Sequence, residues 1–286
     1  MENKPPEIYW VVATHTNAGK TTLAAALIRV LNALGCPTVG FKPFAGMRLR
    51  DGVDFLSSQS RELNHRMAFS DGALLSQASP LTAGEYVDVV VPRQLIFKDS
   101  VRDTFLLRTG SQTLHNVEVW TNEQGQALAK RADVAYLIEK MNLPFAQARI
   151  LEPIARPRSA VGREKAEQAF AYLKTWQPQA IVCEGAGPWL PVWQDQACVN
   201  HVFMLTADSL HFYRDADLQI DVRNGVASDV GKDEESNYAL APDYKILLKA
   251  LQAKGIQSRM QPYWILDSSR REAVIDAMLQ GFLSAR

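Results

Sequence analysis

A lysine and a threonine follow a glycine-bearing loop near the start of the chain. Residues 14–21 read Thr-His-Thr-Asn-Ala-Gly-Lys-Thr, between an apolar run at 8–13 and a helical spacing of apolar residues at 20–34. A loop that joins a buried strand to a helix presents backbone N–H groups to an anion, and the helix dipole assists. The lysine can reach the terminal phosphates of a nucleotide, and the threonine hydroxyl can bind Mg²⁺. The sequence therefore predicts a nucleotide phosphate site, although Thr14 stands where the strict phosphate-loop motif has glycine.

Two further polar side chains follow predicted strands. Lys42 comes directly after the strand predicted at 38–41, and Glu184 comes directly after the one predicted at 180–183. Because ligands of open α/β sheets bind at the carboxyl ends of the strands, both side chains are expected at the edge that carries the phosphate loop. A second lysine there suits phosphate, and a carboxylate beside a glycine turn suits Mg²⁺.

Together these segments resemble the dethiobiotin synthetase family of phosphate-loop enzymes. That family carries a GTDTxVGKT loop, a KPVxSG segment and a VEGAGG segment, and this chain reads ATHTNAGKT, KPFAG and CEGAG in the same order. Two more matches are Phe-Ser-Asp-Gly-Ala-Leu at 69–74 and Val-Arg-Asn at 222–224. The resemblance covers about 1–80 and 160–286 and fails across the middle of the chain.

The resemblance implies ATP and Mg²⁺ as cofactors and gives a role to each matching residue. Lys20 and Lys42 would contact the phosphates and the developing negative charge as the catalytic pair. The implied metal ligands are Thr21, Asp71 and Glu184. The other implied ATP contacts are Thr16, Asn17, Ala18, Gly19, Thr22 and, at the adenine, Asn224.

The resemblance also implies a reaction class. In that family CO₂ carbamates a diamine, ATP phosphorylates the carbamate, and the second amine closes a ureido ring with loss of phosphate. Such chemistry needs charge neutralisation and in-line positioning of an anionic nucleophile, which two lysines and Mg²⁺ supply. We therefore expect an ATP-dependent ligase or cyclase that acts on a small amine or diamine, with CO₂ as a second substrate, in a homodimer.

Several positions depart from the family motifs, in segments that face the small substrate in that family. Ala13 and His15 replace a glycine and an aspartate of the loop. The serine of the second motif is absent because Gly46 follows Ala45 directly, and Pro188 replaces the last glycine of the third. These changes favour a divergent member that acts on a different amine or carboxylate.

The order of predicted elements indicates one α/β domain over 1–286. The strand, loop, helix and strand at 8–41 form one βαβ unit, which predicts a parallel β-sheet flanked by helices, as in phosphate-loop NTPases. Residues 85–155 instead cluster β-formers, with a strand predicted at 86–91 and a hairpin turn at 122–125. They predict a β-rich insertion of antiparallel strands.

The composition excludes several classes of partner. Lys plus Arg and Asp plus Glu both number 31, whereas a duplex nucleic-acid binder normally carries a basic surplus. No apolar run is long enough to span a bilayer, and residues 1–6 are polar and unlike a signal peptide. The three cysteines follow no metal-binding spacing. We therefore expect a cytoplasmic protein with neither nucleic acid nor membrane as partner.

Two other classes of ATP-dependent protein share the predicted sheet and loop. Regulatory ATPases of the partitioning or septum-site type usually carry a further lysine near the start of the loop, and residues 13–18 contain none. Amidotransferase synthetases of the cobyrinate type usually have an attached glutaminase domain that uses a cysteine nucleophile. None of the three cysteines of this chain lies in a sequence context typical of such a nucleophile. Both remain alternatives to the ligase hypothesis.

Overall fold

The computed structural model describes residues 5–14, 18–52, 70–80, 87–99, 103–110, 117–141, 143–150, 160–186, 191, 196–221, 242–262 and 268–284. In these ranges the strands are, in chain order, β1 (Glu7–Ala13), β2 (Thr38–Phe41), β3 (Ala45–Arg48), β4 (Arg93–Phe97), β5 (Thr104–Thr109), β6 (Glu118–Thr121), β7 (Arg149–Ile150), β8 (Ala180–Glu184), β9 (Gln196–Val199), β10 (His201–Leu205), β11 (Ser209–Tyr213), β12 (Leu218–Asp221) and β13 (Arg259–Pro262).

The helices in the same ranges are α1 (Lys20–Ala33), α2 (Ser70–Ala78), α3 (Val87–Val90), α4 (Glu123–Leu128), α5 (Ala132–Lys140), α6 (Ala160–Thr175), α7 (Pro242–Ala253) and α8 (Ser268–Ser284). None of these described helices has the length and apolar character needed to cross a membrane. The protein is therefore a mixed α/β protein, as its sequence predicts at the level of fold class.

Two compact units make up the chain. One consists of Met1–Gly40 and Gln177–Arg286, and the other consists of Phe41–Trp176. The second unit is inserted into the first, because the chain leaves the first unit after residue 40 and returns to it at residue 177. The β-rich segment that the sequence predicts, at about 85–155, lies within the second unit.

The first unit contains a six-stranded sheet in the order β13-β11-β10-β1-β8-β2. Strand β1 pairs in parallel with both β10 and β8, whereas β11 pairs antiparallel with β10 and with β13. The sequence predicts a parallel sheet, and the antiparallel pairing of β11 with β10 and β13 corrects that prediction. Its cause is local, since only residues 206–208 separate β10 from β11, and parallel strands need a much longer crossover. The sequence also predicts a strand at 263–266, and these residues fall outside the described ones.

Strand β1 lies at the centre of this core. Trp10, Val11 and Val12 have no exposed surface, as expected of an apolar run buried on both faces of a sheet. Aromatic side chains fill the core further along, where Phe203 and Phe212 stack with ring centroids 4.3 Å apart and Phe282 of α8 meets Phe212 edge-on. The same helix packs on α1. Strands β9 and β12 form a separate two-stranded antiparallel ladder.

The second unit contains a five-stranded sheet in the order β3-β4-β5-β6-β7. Its central pairs, β4 with β5 and β5 with β6, are antiparallel, as the sequence predicts, and its two outer pairs are parallel. Leu137 of α5 lies near Met47 on one face of the sheet. On the other face, Lys165 of α6 forms an ion pair with Glu118 at 3.8 Å. Helices thus cover both faces of this sheet.

Two sequence predictions in the second unit are wrong. The strand predicted at 86–91 is in part the short helix α3, where packing of the buried Val89 and Val90 overrides the β preference of valine. The hairpin predicted at 122–125 is instead a helix start, because the Asn122 side chain accepts a hydrogen bond from the Gly125 N–H at 2.8 Å and caps α4.

Two glycines give a matched test of this packing. In Gly125→Ala the new methyl group would meet Thr121 Oγ1 and the Phe105 carbonyl, so we expect a loss of about 1–3 kcal/mol in the free energy of unfolding. Gly281→Ala adds a methyl group in open space on α8 and should instead stabilise the protein by about 0.5–1 kcal/mol. Urea unfolding of both variants measures the difference, and equal stabilities would contradict this account.

Candidate functional site

The glycine-lysine-threonine sequence lies at the start of the first long helix in the first unit. Gly19 has a φ of 83°, a left-handed conformation that glycine adopts without steric cost, and its carbonyl accepts the first helical hydrogen bond, from Leu23 N–H at 3.0 Å. Helix α1 then begins at Lys20, whose side chain is buried. The positive end of the helix dipole and a lysine therefore occupy the same place, which is the electrostatic arrangement that binds phosphate.

The Thr21 hydroxyl donates a hydrogen bond to Glu184 Oε1 at 2.9 Å. Glu184 is the last residue of β8 and is only 1% exposed. The pairing of β1 with β8 accounts for this placement, because Val11 lies opposite Glu184 and the Gly185 N–H continues the ladder to the Val11 carbonyl at 3.1 Å. Two residues that the sequence predicts as metal ligands, 163 positions apart, are thus in direct contact.

The chemistry of this pair fits Mg²⁺. A hydroxyl and a carboxylate are hard oxygen donors, and Mg²⁺ typically takes one or two protein oxygens and completes its shell with phosphate and water. Within the described ranges there is no cluster of three or more His, Cys, Asp or Glu side chains able to hold a metal ion.

The second catalytic lysine predicted from the sequence lies in the second unit. Lys42 Nζ and Asp71 Oδ2 form an ion pair at 2.7 Å, with the lysine side chain 6% exposed and the aspartate side chain 25% exposed. Asp71 belongs to the first turn of α2, and the backbone N–H of Lys42 donates to the Val90 carbonyl at 2.8 Å. The partner that the structure gives Asp71 is thus an ammonium group, and its expected role as a metal ligand remains a prediction.

Several predicted site residues fall outside the described residues. They are Thr16, Asn17 and Asn224, together with His15 and Pro188. Ala18 and Thr22, which flank the helix start, are described and are buried and half-buried respectively. The adenine contact expected of Asn224 therefore stays a sequence prediction.

A group of buried polar side chains on β4 and β5 of the second unit is not predicted from the sequence. Arg93 is 1% exposed, its guanidinium lies 5.6 Å from the centre of the Phe44 ring, and burial lowers its pKa to about 10. Gln94 and Arg108 are also buried and lie directly opposite each other across the antiparallel pair. The sequence does contain one signal for this group, since Arg93 and Gln94 begin a strand whose other residues are apolar.

Gln94 is the most unusual member of this group. Its side chain has no exposed surface, and neither Oε1 nor Nε2 has a hydrogen-bond partner among the described residues. A buried amide left in this way costs about 1–3 kcal/mol of folding free energy. Buried polar groups in folded proteins are nearly always hydrogen-bonded, so this one calls for a functional explanation.

Comparison with known proteins gives no family to which the chain can be assigned. A scan against protein-family models finds no match, and searches of curated proteins and of solved structures find none either. Any functional proposal therefore rests on the residues of this chain and their geometry.

The Lys42–Asp71 pair leads to a stability prediction. Asp71→Asn removes the charge that faces a buried ammonium group, so we expect a loss of about 2–3 kcal/mol in the free energy of unfolding, reduced by the partial exposure of Asp71. Asp99→Asn is the control, because Asp99 and its partner Lys98 are 3.9 Å apart and largely exposed, and its loss should change stability very little. Denaturant titrations of the two variants measure the difference. The same unfolding midpoint for both would contradict a structural role for the Lys42–Asp71 pair.

Proposed function

We propose that this protein is a Mg-ATP-dependent ligase or cyclase of the dethiobiotin synthetase type. It would phosphorylate a carbamate or carboxylate of a small amine substrate before ring closure or amide formation. The observation that carries the proposal is the 2.9 Å contact between the Thr21 hydroxyl, at the start of α1, and the buried carboxylate of Glu184, at the end of a neighbouring strand.

The nucleotide part of the proposal is supported by the first turn of α1. Gly19 lets the chain enter the helix in a left-handed conformation, and a helix start presents N–H groups that bind anions in many proteins. Lys20 would place its positive charge on the phosphates of ATP. In this proposal Gly19, Lys20 and Thr21 would form the second half of a phosphate loop.

The metal part of the proposal is supported by the oxygen atoms of Thr21 and Glu184. These residues would hold Mg²⁺, which supplies neutralisation of the negative charge on the phosphates when it is bound. The burial of Glu184 strengthens its attraction for a cation, because charges interact more strongly where water is excluded.

The transfer step would need positive charge and alignment from the protein. An anionic carbamate or carboxylate attacks the γ-phosphorus in line with the departing ADP, and the protein holds the two together. By the family resemblance alone, Lys42 would supply a positive charge to the anionic nucleophile; within the second unit its ammonium group is held by Asp71. In this scheme no protein side chain becomes covalently modified. The homodimer, the CO₂ requirement and the identity of the amine come from the family resemblance alone.

The phosphate loop is tested by Lys20→Ala. We expect this variant to lose ATP affinity by at least about tenfold, because a buried cation at the helix start is removed from the phosphates. Lys130→Ala is the matched control, since Lys130 is exposed on the second unit. Isothermal titration with Mg-ATP measures both, and unchanged affinity and turnover in Lys20→Ala would refute the assignment.

The reaction class is tested by ATP turnover with 7,8-diaminopelargonate and bicarbonate, compared with turnover when both are omitted. If the chain keeps the reaction of the family, the two additions should stimulate phosphate release and yield the cyclic urea product. ATP binding without stimulation would reject dethiobiotin formation and leave a different amine or carboxylate as the substrate. Steady ATP hydrolysis that no small amine or carboxylate stimulates would instead support a regulatory ATPase.

A further inference from the structure

The turn that joins β11 to β12 in the first unit has an unusual backbone. It spans residues 214–217, and two of its members, Asp215 and Asp217, have φ angles of 48° and 39°. Left-handed conformations are uncommon for residues other than glycine, and they persist where surrounding groups hold them in place. The conformation of the 214–217 turn therefore depends on the contacts that are made to it.

One contact of the 214–217 turn involves a histidine. The backbone N–H of Asp215 donates a hydrogen bond to Nδ1 of His201 at 3.2 Å. Other contacts join the Asn200 carbonyl to the Ala216 N–H at 2.6 Å and the Lys254 ammonium group to the carbonyls of Ala216 and Asp217. The histidine contact differs from these because an imidazole changes its charge close to neutral pH.

The surroundings of His201 fix its tautomer. This residue begins β10 and is 7% exposed, and its ring lies against the Tyr9 ring with centroids 4.4 Å apart and near the Phe212 ring at 6.2 Å. Nε2 lies 3.4 Å from Oε2 of Glu7. Because Nδ1 accepts the Asp215 N–H, the proton of the neutral ring belongs on Nε2, where it faces the Glu7 carboxylate.

The charged groups around this ring have opposite effects on its protonation. Burial is the largest effect and lowers the pKa of His201 below its ordinary value, although the carboxylates of Glu7 and Asp215 favour the imidazolium and the Arg214 guanidinium opposes it. Burial also raises the pKa of Tyr9, so that phenol stays neutral. The stability that the neutral ring contributes is therefore present above the ordinary histidine pKa and is lost as the pH falls below it.

A proton on Nδ1 of His201 would place two donors against each other. The Asp215 N–H would lose its acceptor, whereas Oδ1 of the Asp215 carboxylate lies 3.9 Å from Nδ1 and can accept from the imidazolium. The N–H and the carboxylate belong to the same residue. The exchange of one for the other therefore requires the backbone of Asp215 to leave its present conformation.

We propose that the 214–217 turn is a pH-responsive element, released when His201 gains a proton and exchanges the Asp215 N–H for the Asp215 carboxylate. The turn leads directly into β12, which pairs with β9, so its release loosens the start of that two-stranded ladder. The inference is independent of the proposed function, because the phosphate-loop residues take no part in it.

The test follows the His201 ring and the Asp215 amide separately, in the full-length protein, from about pH 7.5 to about pH 4.5. NMR of the ring reports its protonation, and hydrogen exchange of the amide, corrected for the intrinsic effect of pH, reports the release. We expect protection of the Asp215 amide to fall at least about tenfold as the ring is protonated, while β5 amides in the second unit stay protected. A ring that stays neutral throughout, or that titrates while the amide stays protected, would overturn the proposal.

Variants separate this switch from general sensitivity to acid. His201→Asn keeps an amide oxygen at about the position of Nδ1 that can accept the Asp215 N–H without titrating, so protection should not change with pH. Asp215→Asn decides the question where that variant does not fold, because asparagine tolerates the left-handed conformation. It removes a carboxylate that favours the imidazolium, so the loss of protection should move to lower pH.

Asp217→Asn is the matched control for Asp215→Asn. Asp217 is left-handed in the same turn, but its carboxylate accepts from the Asn200 side chain at 2.7 Å, so the transition should stay where the wild type has it. An equal shift in both variants would show that the carboxylates act through overall charge and not through the ring. Loss of protection in His201→Asn at the same pH as in the wild type would show that a different group opens the turn.

Discussion

The parallel hydrogen bonds of β1 to β8 and β10 determine where the residues at the strand ends of the first unit lie. Two neighbours paired in the same direction bring their carboxyl ends to one level, with Val11 opposite Glu184 and Ala13 opposite Leu205. The ladder even continues past the strands, through the Thr14 N–H to the Leu205 carbonyl at 2.9 Å. Because buried backbone groups must be paired, this register cannot slip without losing many bonds at once. The position of Glu184 relative to the start of α1 is a direct consequence.

Burial of charge is the corresponding constraint in the second unit. Lys42, Arg93 and Arg108 are all nearly inaccessible, and each must recover part of the hydration that it gives up. Lys42 does so through the Asp71 carboxylate, and Arg93 lies against the Phe44 ring while its pKa falls. A protein selected for stability alone would place apolar side chains at such positions. These buried charges are therefore weak evidence for stability.

The sequence predicts elements well where the signal is local. An unbroken apolar run is enough for β1, and the spacing of apolar residues followed by glycine is enough for α1. Residues 86–91 have an equally clear β pattern, yet part of them is helical because packing of buried valines outweighs local preference. Asparagine is common both in turns and at helix N-caps, and the sequence alone does not show which of the two Asn122 adopts.

The contacts of the candidate site also differ in how far they can be predicted from the sequence. The contact of Thr21 with Glu184 follows from motif order and strand ends, both of which can be inferred from the sequence. The ion pair of Lys42 with Asp71 depends on where α2 is placed, and no periodicity in the sequence encodes that. Gln94 was missed because its burial and its lack of partners are properties of the folded sheet.

The interrupted path of the first unit bears on how the chain folds during synthesis. Strand β1 precedes Phe41–Trp176 in the chain, whereas its two neighbours, β8 and β10, follow that whole segment. The second unit is continuous in the chain and can close its own sheet while β1 still lacks both partners. Loop closure across such a distance is slow, and β1 has no strand of the first unit to pair with while the second unit is being synthesised. A growing chain therefore exposes this apolar strand until β8 and β10 have been synthesised.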